Sequence, residues 1–309
     1  MSTPFEIDSF DEYLNTIQKE LGANGEHKRR LYFRGQSKRV HEDYPLKPSI
    51  ARYPHLGKLT LAEREQLECE VLDTFSNHLL SYVQHRPLTP WEELAIAQHH
   101  GLPTRFMDWT TNPLVALYFA VRNTDGRTPD SAVYVLISNP KRYADLKRGQ
   151  LEQVKPIGDA ATEQAEISAR DAYEDFDLVN ISETEGGYDA ILRPAGAELF
   201  DEIIFGEHQD QLVTHEMQSP FKITENIIYD PPHVSPRIRA QDGVLLACWQ
   251  PMQELEEKDY LEIVIKQGAH DEIRRRLDQY GVFDKQLFPD LDGIAKWLKY
   301  RAFEINGTI

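Results

Sequence analysis

With 309 residues, 40% of them hydrophobic, the chain can bury a sizeable core as one large or two ordinary domains without covalent staples. A formal net charge of −17 argues against a general nucleic-acid partner, because duplex binding is driven by Lys and Arg neutralising phosphates. Two cysteines, Cys69 and Cys248, lie far apart in apolar surroundings, which excludes a disulfide framework and a multi-cysteine metal site and suits a reducing compartment.

Met1 to Glu6 contain neither a basic region nor an apolar run, and no stretch approaches the roughly 18 apolar residues of a membrane span. The expected location is the cytoplasm, with no membrane partner. The charge is unevenly placed. Residues 151–219 hold 17 acids against three bases, so the rest of the chain is close to neutral and could bind a nucleotide while the acidic segment engages a partner.

In chain order, Ser9 and Glu12 form a capping box, and Phe10, Tyr13, Leu14, Ile17 and Leu21 share one face of a helix that Gly22 ends. Leu31-Tyr32-Phe33 reads as a short buried strand stopping at Arg34-Gly35-Gln36, where Arg34 either meets a ligand or pairs with a nearby carboxylate. Three prolines between Pro45 and Pro54 predict an ordered but irregular segment. Thr60 and Glu63 then cap a long helix whose apolar stripe runs through Leu67, Val71, Leu72, Phe75, Leu79, Leu80 and Val83, with Cys69 beside it as a buried thiol.

The organising stretch is Gln98 to Ala120. Thr89-Pro90-Trp91-Glu92 supplies an N-cap, a first-turn proline and a capping-box carboxylate for a helix ending at Gly101. Asn112-Pro113 starts another helix, with Leu114, Leu117, Tyr118 and Val121 on its buried face. A short polar connection is expected between them. Arg105, Asp108, Thr110 and Thr111 therefore precede a helix N-terminus, whose free N–H groups and dipole favour an anion such as phosphate. The alternative is that Asp108 and the threonines merely cap and tie the loop.

Ser131 to Ile137 is the clearest strand of the first half. Within 138–220, Ala160 to Tyr173 could form a helix, while Gly186-Gly187 and the acidic excess suggest an inserted excursion. Further strands are expected at Glu225 to Tyr229, at Arg237 to Leu246 with a bulge near Gly243, and at Leu261 to Ile265. Helices near Asp271 to Tyr280 and Leu291 to Tyr300 follow. No G-x-S-x-G elbow, P-loop or G-x-G-x-x-G occurs. His99 and His100, adjacent on a helix, point about 100° apart and make poor joint ligands, so no metal is expected, although His100 could still contact a ligand.

Tyr32-Phe33-Arg34-Gly35-Gln36, His100 to Arg105 with Asp108-Trp109-Thr110 and Asn112-Pro113, Arg237-Ile238 with Ala240-Gln241 and Gly243, and Leu287 to Gly293 resemble the FRG domain, named for its Phe-Arg-Gly motif, over roughly residues 28–298. That resemblance implies an N-terminal helix at 1–27, an FRG domain at 28–298 carrying the acidic insertion at about 151–219, and a tail at 299–309. A weaker similarity is to ADP-ribosyltransferases of the arginine, Ser-Thr-Ser, glutamate type. Arg34 resembles their first-strand arginine, Asp108 to Pro113 their Ser/Thr-rich strand end before a helix, and Gln241 falls where their glutamate would lie.

Together these resemblances imply an α+β fold, with a mixed, mainly antiparallel sheet, flanking helices and an ADP-ribosyltransferase-like arrangement. They imply an NAD-binding enzyme, a transferase or NAD glycohydrolase, acting as a bacterial toxin or antiphage effector on a macromolecular target. Arg34, Asp108 and Gln241 would be catalytic, and Arg34, Gly35, Gln36, His100, Thr104, Arg105, Thr110 and Asn112 would bind NAD. Gln241 departs from that pattern, since a Gln orients a hydroxyl but carries no charge. The alternative is a non-catalytic nucleotide-sensing or protein-interaction module. Hydrolysis by carboxylates on a metal lacks a ligand cluster. Arg34, Arg105, Asp108 and Gln241 are expected to converge on one cleft.

Overall fold

Capping residues decide where the helices begin. In the computed structural model, which describes residues 4–21, 30–42, 44–79, 81–83, 87–122, 129–146, 219–232 and 236–304, Ser9 accepts from the Glu12 amide at the start of helix α1 (Phe10–Thr16). Thr60 and Glu63 bond reciprocally at the start of α2 (Leu61–Leu79). Thr89 caps α3 (Pro90–His99), and Asn112 accepts from the Leu114 amide to cap α4 (Pro113–Val121). Gly101, at φ 91°, closes α3 in the left-handed conformation that glycine adopts without a Cβ penalty. No helix among the described residues is long and apolar enough to cross a membrane.

Among the described residues, eight strands form one mixed sheet. They are β1 (Phe5–Ile7), β2 (Phe33–Gln36), β3 (Phe106–Thr110), β4 (Ser131–Leu136), β5 (Lys141–Arg142), β6 (Ile227–Tyr229), β7 (Gly243–Ala247) and β8 (Tyr260–Ile265). Their order is β1-β8-β4-β2-β3-β7-β6-β5, antiparallel except for the β1–β8 and β5–β6 pairs. The fold is therefore α+β with a mainly antiparallel sheet, as expected.

Both faces of the sheet are covered, which makes β4 a continuous apolar run rather than a half-polar alternation. Val133 and Val135 face a core built with α1, α4 and α6 (His270–Gln279), while Ala132, Tyr134 and Leu136 face a second core with Met107, Trp109 and Leu246. Helix α4 lies directly on β2. A Cβ at Gly35 would stand 1.8 Å from the Ala116 carbonyl oxygen, so the glycine of Phe-Arg-Gly is what lets strand and helix meet.

Several expectations are corrected. The strand near residue 31 starts at Phe33 and runs through Arg34-Gly35-Gln36 instead of stopping there. The connection before α4 contains β3, with Phe106, Met107 and Trp109 buried and Asp108 exposed. Residues Pro236–Ala240 form helix α5, not the first half of a strand. The Gln241 amide donates to the Arg237 carbonyl, and Asp242 turns the chain at φ 45° into β7. The stripe of α2 is only partly buried: Leu72 and Leu79 are inside, Val71 is exposed and Cys69 half-buried. The expected helix at Ala160 to Tyr173 and Gly186-Gly187 lie outside the described residues. By contacts the chain divides into two units, Met1–Tyr143 with Met217–Ile309, and Ala144–Glu216; everything described below belongs to the first.

Toward the C-terminus, α6 ends before Gly281, at φ 80°. Helices α7 (Asp284–Leu287) and α8 (Leu291–Lys299) follow, the latter capped by Asp290, which accepts from the Gly293 amide at 2.8 Å.

Both thiols are free. Burial pushes the Cys248 thiol up to about 12 and raises Cys69 as well. Because the thiolate is the nucleophile, Cys248 is expected to resist a thiol reagent until the protein unfolds, with Cys69 reacting first and slowly. Mass-spectrometric labelling with time checks this, and rapid native labelling of Cys248 would contradict it.

Candidate functional site

The site begins where the sheet is incompletely paired. Strand β2 shares four register pairs with β4, and β3 shares five with β7, but β2 and β3 share one, Phe33↔Thr110. Beyond it the ladder lapses, and Arg34 Nη1 donates to the carbonyl oxygen of Asp108. A side chain thus satisfies a backbone acceptor that a neighbouring strand would otherwise take.

Around this gap lies a cleft of about 350 Å³, within the range of small-molecule sites. Arg34, Gly35, Gln36, Asp108, Thr110 and Gln241 line it together, although they are spread over more than 200 residues of sequence. Phe33, Tyr44 and Phe119 add aromatic surface. Arg122 and Arg237 make the cleft cationic on a strongly acidic chain, with Asp108 the one carboxylate that lines it among the described residues.

A polar relay positions that carboxylate. The Thr104 hydroxyl donates to Gln98 Oε1, which sets the orientation of the amide, and Gln98 Nε2 donates to Asp108 Oδ1 at 2.9 Å. The Thr104 hydroxyl also accepts from the Phe106 amide at 3.0 Å. Gln241 is fixed as well, its Nε2 donating to the Leu287 carbonyl at 3.0 Å. Thr110 donates to the Gln241 carbonyl at 2.7 Å and so ties β3 to the turn before β7.

Three polar atoms of the lining are buried without a hydrogen-bond partner among the described residues: Arg34 Nε, Gln36 Oε1 and Trp109 Nε1. Unpaired buried donors and acceptors are costly, and they mark where ligand atoms would be favourable. Burial pulls the pKa of Arg34 down from its ordinary value, against the attraction of Asp108. Burial likewise lowers that of His99, which favours a neutral imidazole there.

Residues 29–128 match the FRG domain. This FRG match spans β2 to α4 and so includes Arg34, the Gln98–Asp108 relay and Arg122, whereas Arg237 and Gln241 lie outside it. No curated protein and no solved structure matches the chain.

Four sequence-derived site residues do not line the cleft. Arg105 is fully buried and forms a two-bond ion pair with Glu68, at 2.8 and 2.7 Å, while its Nη1 donates to the carbonyls of Pro220 and Phe221. It cannot converge with Arg34, because every direction of its guanidinium is already committed to the interior. Thr104 is buried and acts through Gln98. His100 is exposed at the end of α3, and it is His99 that reaches the lining. Asn112 spends its side chain capping α4 and donating to Asp242. Gln241 does line the cleft, but from a turn and not from a strand.

Gln98, Arg122 and Tyr44 also line the cleft, outside the residues that the sequence singles out as a site. Gln98 opens the organising block, and the period of α3 puts it one turn after the buried Leu94 and Ala95, which is a usable signal. Among the described residues no group of three or more His, Cys, Asp or Glu is placed to hold a metal ion.

Proposed function

We propose that the cleft binds NAD and that the protein is an ADP-ribosyltransferase-like enzyme. The observation that carries this reading is Arg34, a half-buried guanidinium beside Asp108, whose buried Nε lacks a partner among the described residues. A diphosphate oxygen accepting from it would form a charge-assisted bond and remove the cost of the unmet donor. Aromatic rings and the unpaired Gln36 and Trp109 atoms supply the further contacts that a nucleotide needs. Arg34 on β2 and Asp108 on β3, just before α4, supply the strand-to-helix arrangement on which the ADP-ribosyltransferase likeness rests.

In the proposed reaction the bond between the ribose C1′ and the nicotinamide nitrogen breaks, and its electron pair leaves with nicotinamide. Positive charge develops on the ribose. Asp108, held by Gln98, would stabilise that charge, and the Gln241 carboxamide oxygen would accept from a ribose hydroxyl. The lone pair of an acceptor on a macromolecule, or of water, then bonds to the ribosyl carbon, and the proton that the nucleophile loses passes to solvent.

One observation favours a second reading, a non-catalytic nucleotide-binding module: the third position carries the uncharged Gln241. Release of nicotinamide from NAD, with and without cell lysate, separates the two. The enzyme reading expects release by the wild type. It also expects Asp108→Asn to lower turnover on the order of a hundredfold with binding retained, since the amide keeps the shape and loses the charge. NAD binding without release under either condition would leave the module.

A further inference from the structure

A second compartment adjoins the cleft. It measures about 190 Å³ and shares Arg34, Gln98 and Asp108 with the first, but its other walls bring Lys47 and Arg52 to the same space. These cations do not sit on a free loop. Leu46 and Ile50 are buried as anchors, the Ile50 amide donates to the Thr104 carbonyl at 3.2 Å, and Ser49 Oγ accepts from the Thr104 amide at 3.0 Å. The segment is therefore stitched to the turn that leads into β3.

Three cations converging on so small a space repel one another, and an acidic chain would be expected to neutralise them. It does not. Neither Lys47, Arg52 nor Arg34 forms an ion pair among the described residues, and the one carboxylate of the compartment, Asp108, already accepts from Gln98. Arg52 is close enough to Arg34 to depress its pKa further, which reflects the same crowding of charge. A compartment this cationic and this small suits a compact anion better than a purine or nicotinamide ring.

We infer that this compartment is a subsite for a phosphate monoester, with Lys47 and Arg52 as its ligands, so that the substrate class is a dinucleotide carrying a third phosphate. This rests on the reading of the main cleft as a dinucleotide site. In such a molecule the monoester lies one ribose away from the diphosphate, and Arg34 is the cation that both compartments share. Two guanidinium or ammonium groups facing one phosphate supply charge-assisted bonds that NAD, lacking the monoester, cannot use.

Calorimetric titration with NADP and with NAD at one ionic strength tests this on the full chain. Wild type is expected to bind NADP about tenfold or more tightly than NAD. In the Lys47→Gln, Arg52→Gln double variant the ratio is expected to fall to within about twofold, which assigns the preference to these side chains. The wild-type ratio needs no variant, and thermal melting checks that the double variant is folded. Equal affinities in the wild type, with NAD bound, would overturn the subsite and leave the main-cleft reading standing. A preference for NADP that survives in the folded double variant would overturn the assignment to Lys47 and Arg52. Binding of neither dinucleotide would overturn both readings.

Discussion

Glu68→Gln is expected to cost about 3–5 kcal/mol of folding stability, because it leaves a buried guanidinium without its counter-charge. Both partners are almost fully enclosed, with side-chain exposures of 1% for Arg105 and 5% for Glu68, so water cannot replace the lost carboxylate. The loss should spread. Arg105 joins α2 to β3 and, through the Pro220 and Phe221 carbonyls, to the chain that enters β6, so one unpaired charge loosens three segments at once. Because whole domains are stable by roughly 5–15 kcal/mol, the variant should unfold at far lower urea, and the shift in midpoint measures it. A double Glu68→Leu, Arg105→Met variant should recover much of the loss, since removing both charges removes the desolvation problem. A midpoint for Glu68→Gln within error of the wild type would contradict this assignment of Arg105 to structure.

Gly35→Ala is the second large effect. The added methyl would meet the Ala116 carbonyl oxygen at 1.8 Å, its carbon at 2.8 Å and the Ala120 amide nitrogen at 2.8 Å, all backbone atoms that cannot rotate away. Helix α4 would have to lift from β2. Val115, Ala116, Leu117, Tyr118, Ala120 and Val121 of that helix are buried, so lifting it opens the core on several sides. The expected cost is at or above the upper end of the roughly 1–3 kcal/mol typical of overpacking, read by thermal or urea denaturation. An alanine variant as stable as the wild type would show that Gly35 is kept for a ligand and not for the strand–helix contact.

These two residues show which parts of the chain can be read locally. Caps were legible because an N-cap and its partner lie three residues apart, as at Ser9, Thr60 and Thr89. The Arg105–Glu68 pair spans 37 residues, and the Arg105–Pro220 contact 115, so no window of sequence contains both ends. A signal was nevertheless present. Glu68 shares the face of α2 that carries the buried Leu72 and Leu79, and a carboxylate on a buried face demands a cation from elsewhere. Gly35 reads as part of the strand's stop because a close approach leaves no trace in hydrophobic pattern. At Arg237 to Gln241, alternation over five residues fits a short helix as well as a strand, and here the helix won. In the site, Arg34, Asp108 and Gln241 were named from their motifs, but the relay through Gln98 depends on a fold that brings α3 against β3.

Titration calorimetry of NAD into the wild type and Arg34→Ala tests the proposal that Arg34 holds the dinucleotide phosphates. Wild type is expected to bind, and the variant to bind more weakly by roughly 1.5–3 kcal/mol, about ten- to a hundredfold. Wild-type protein that gives no binding heat at millimolar NAD, or an Arg34→Ala variant that binds as tightly as the wild type, would contradict it.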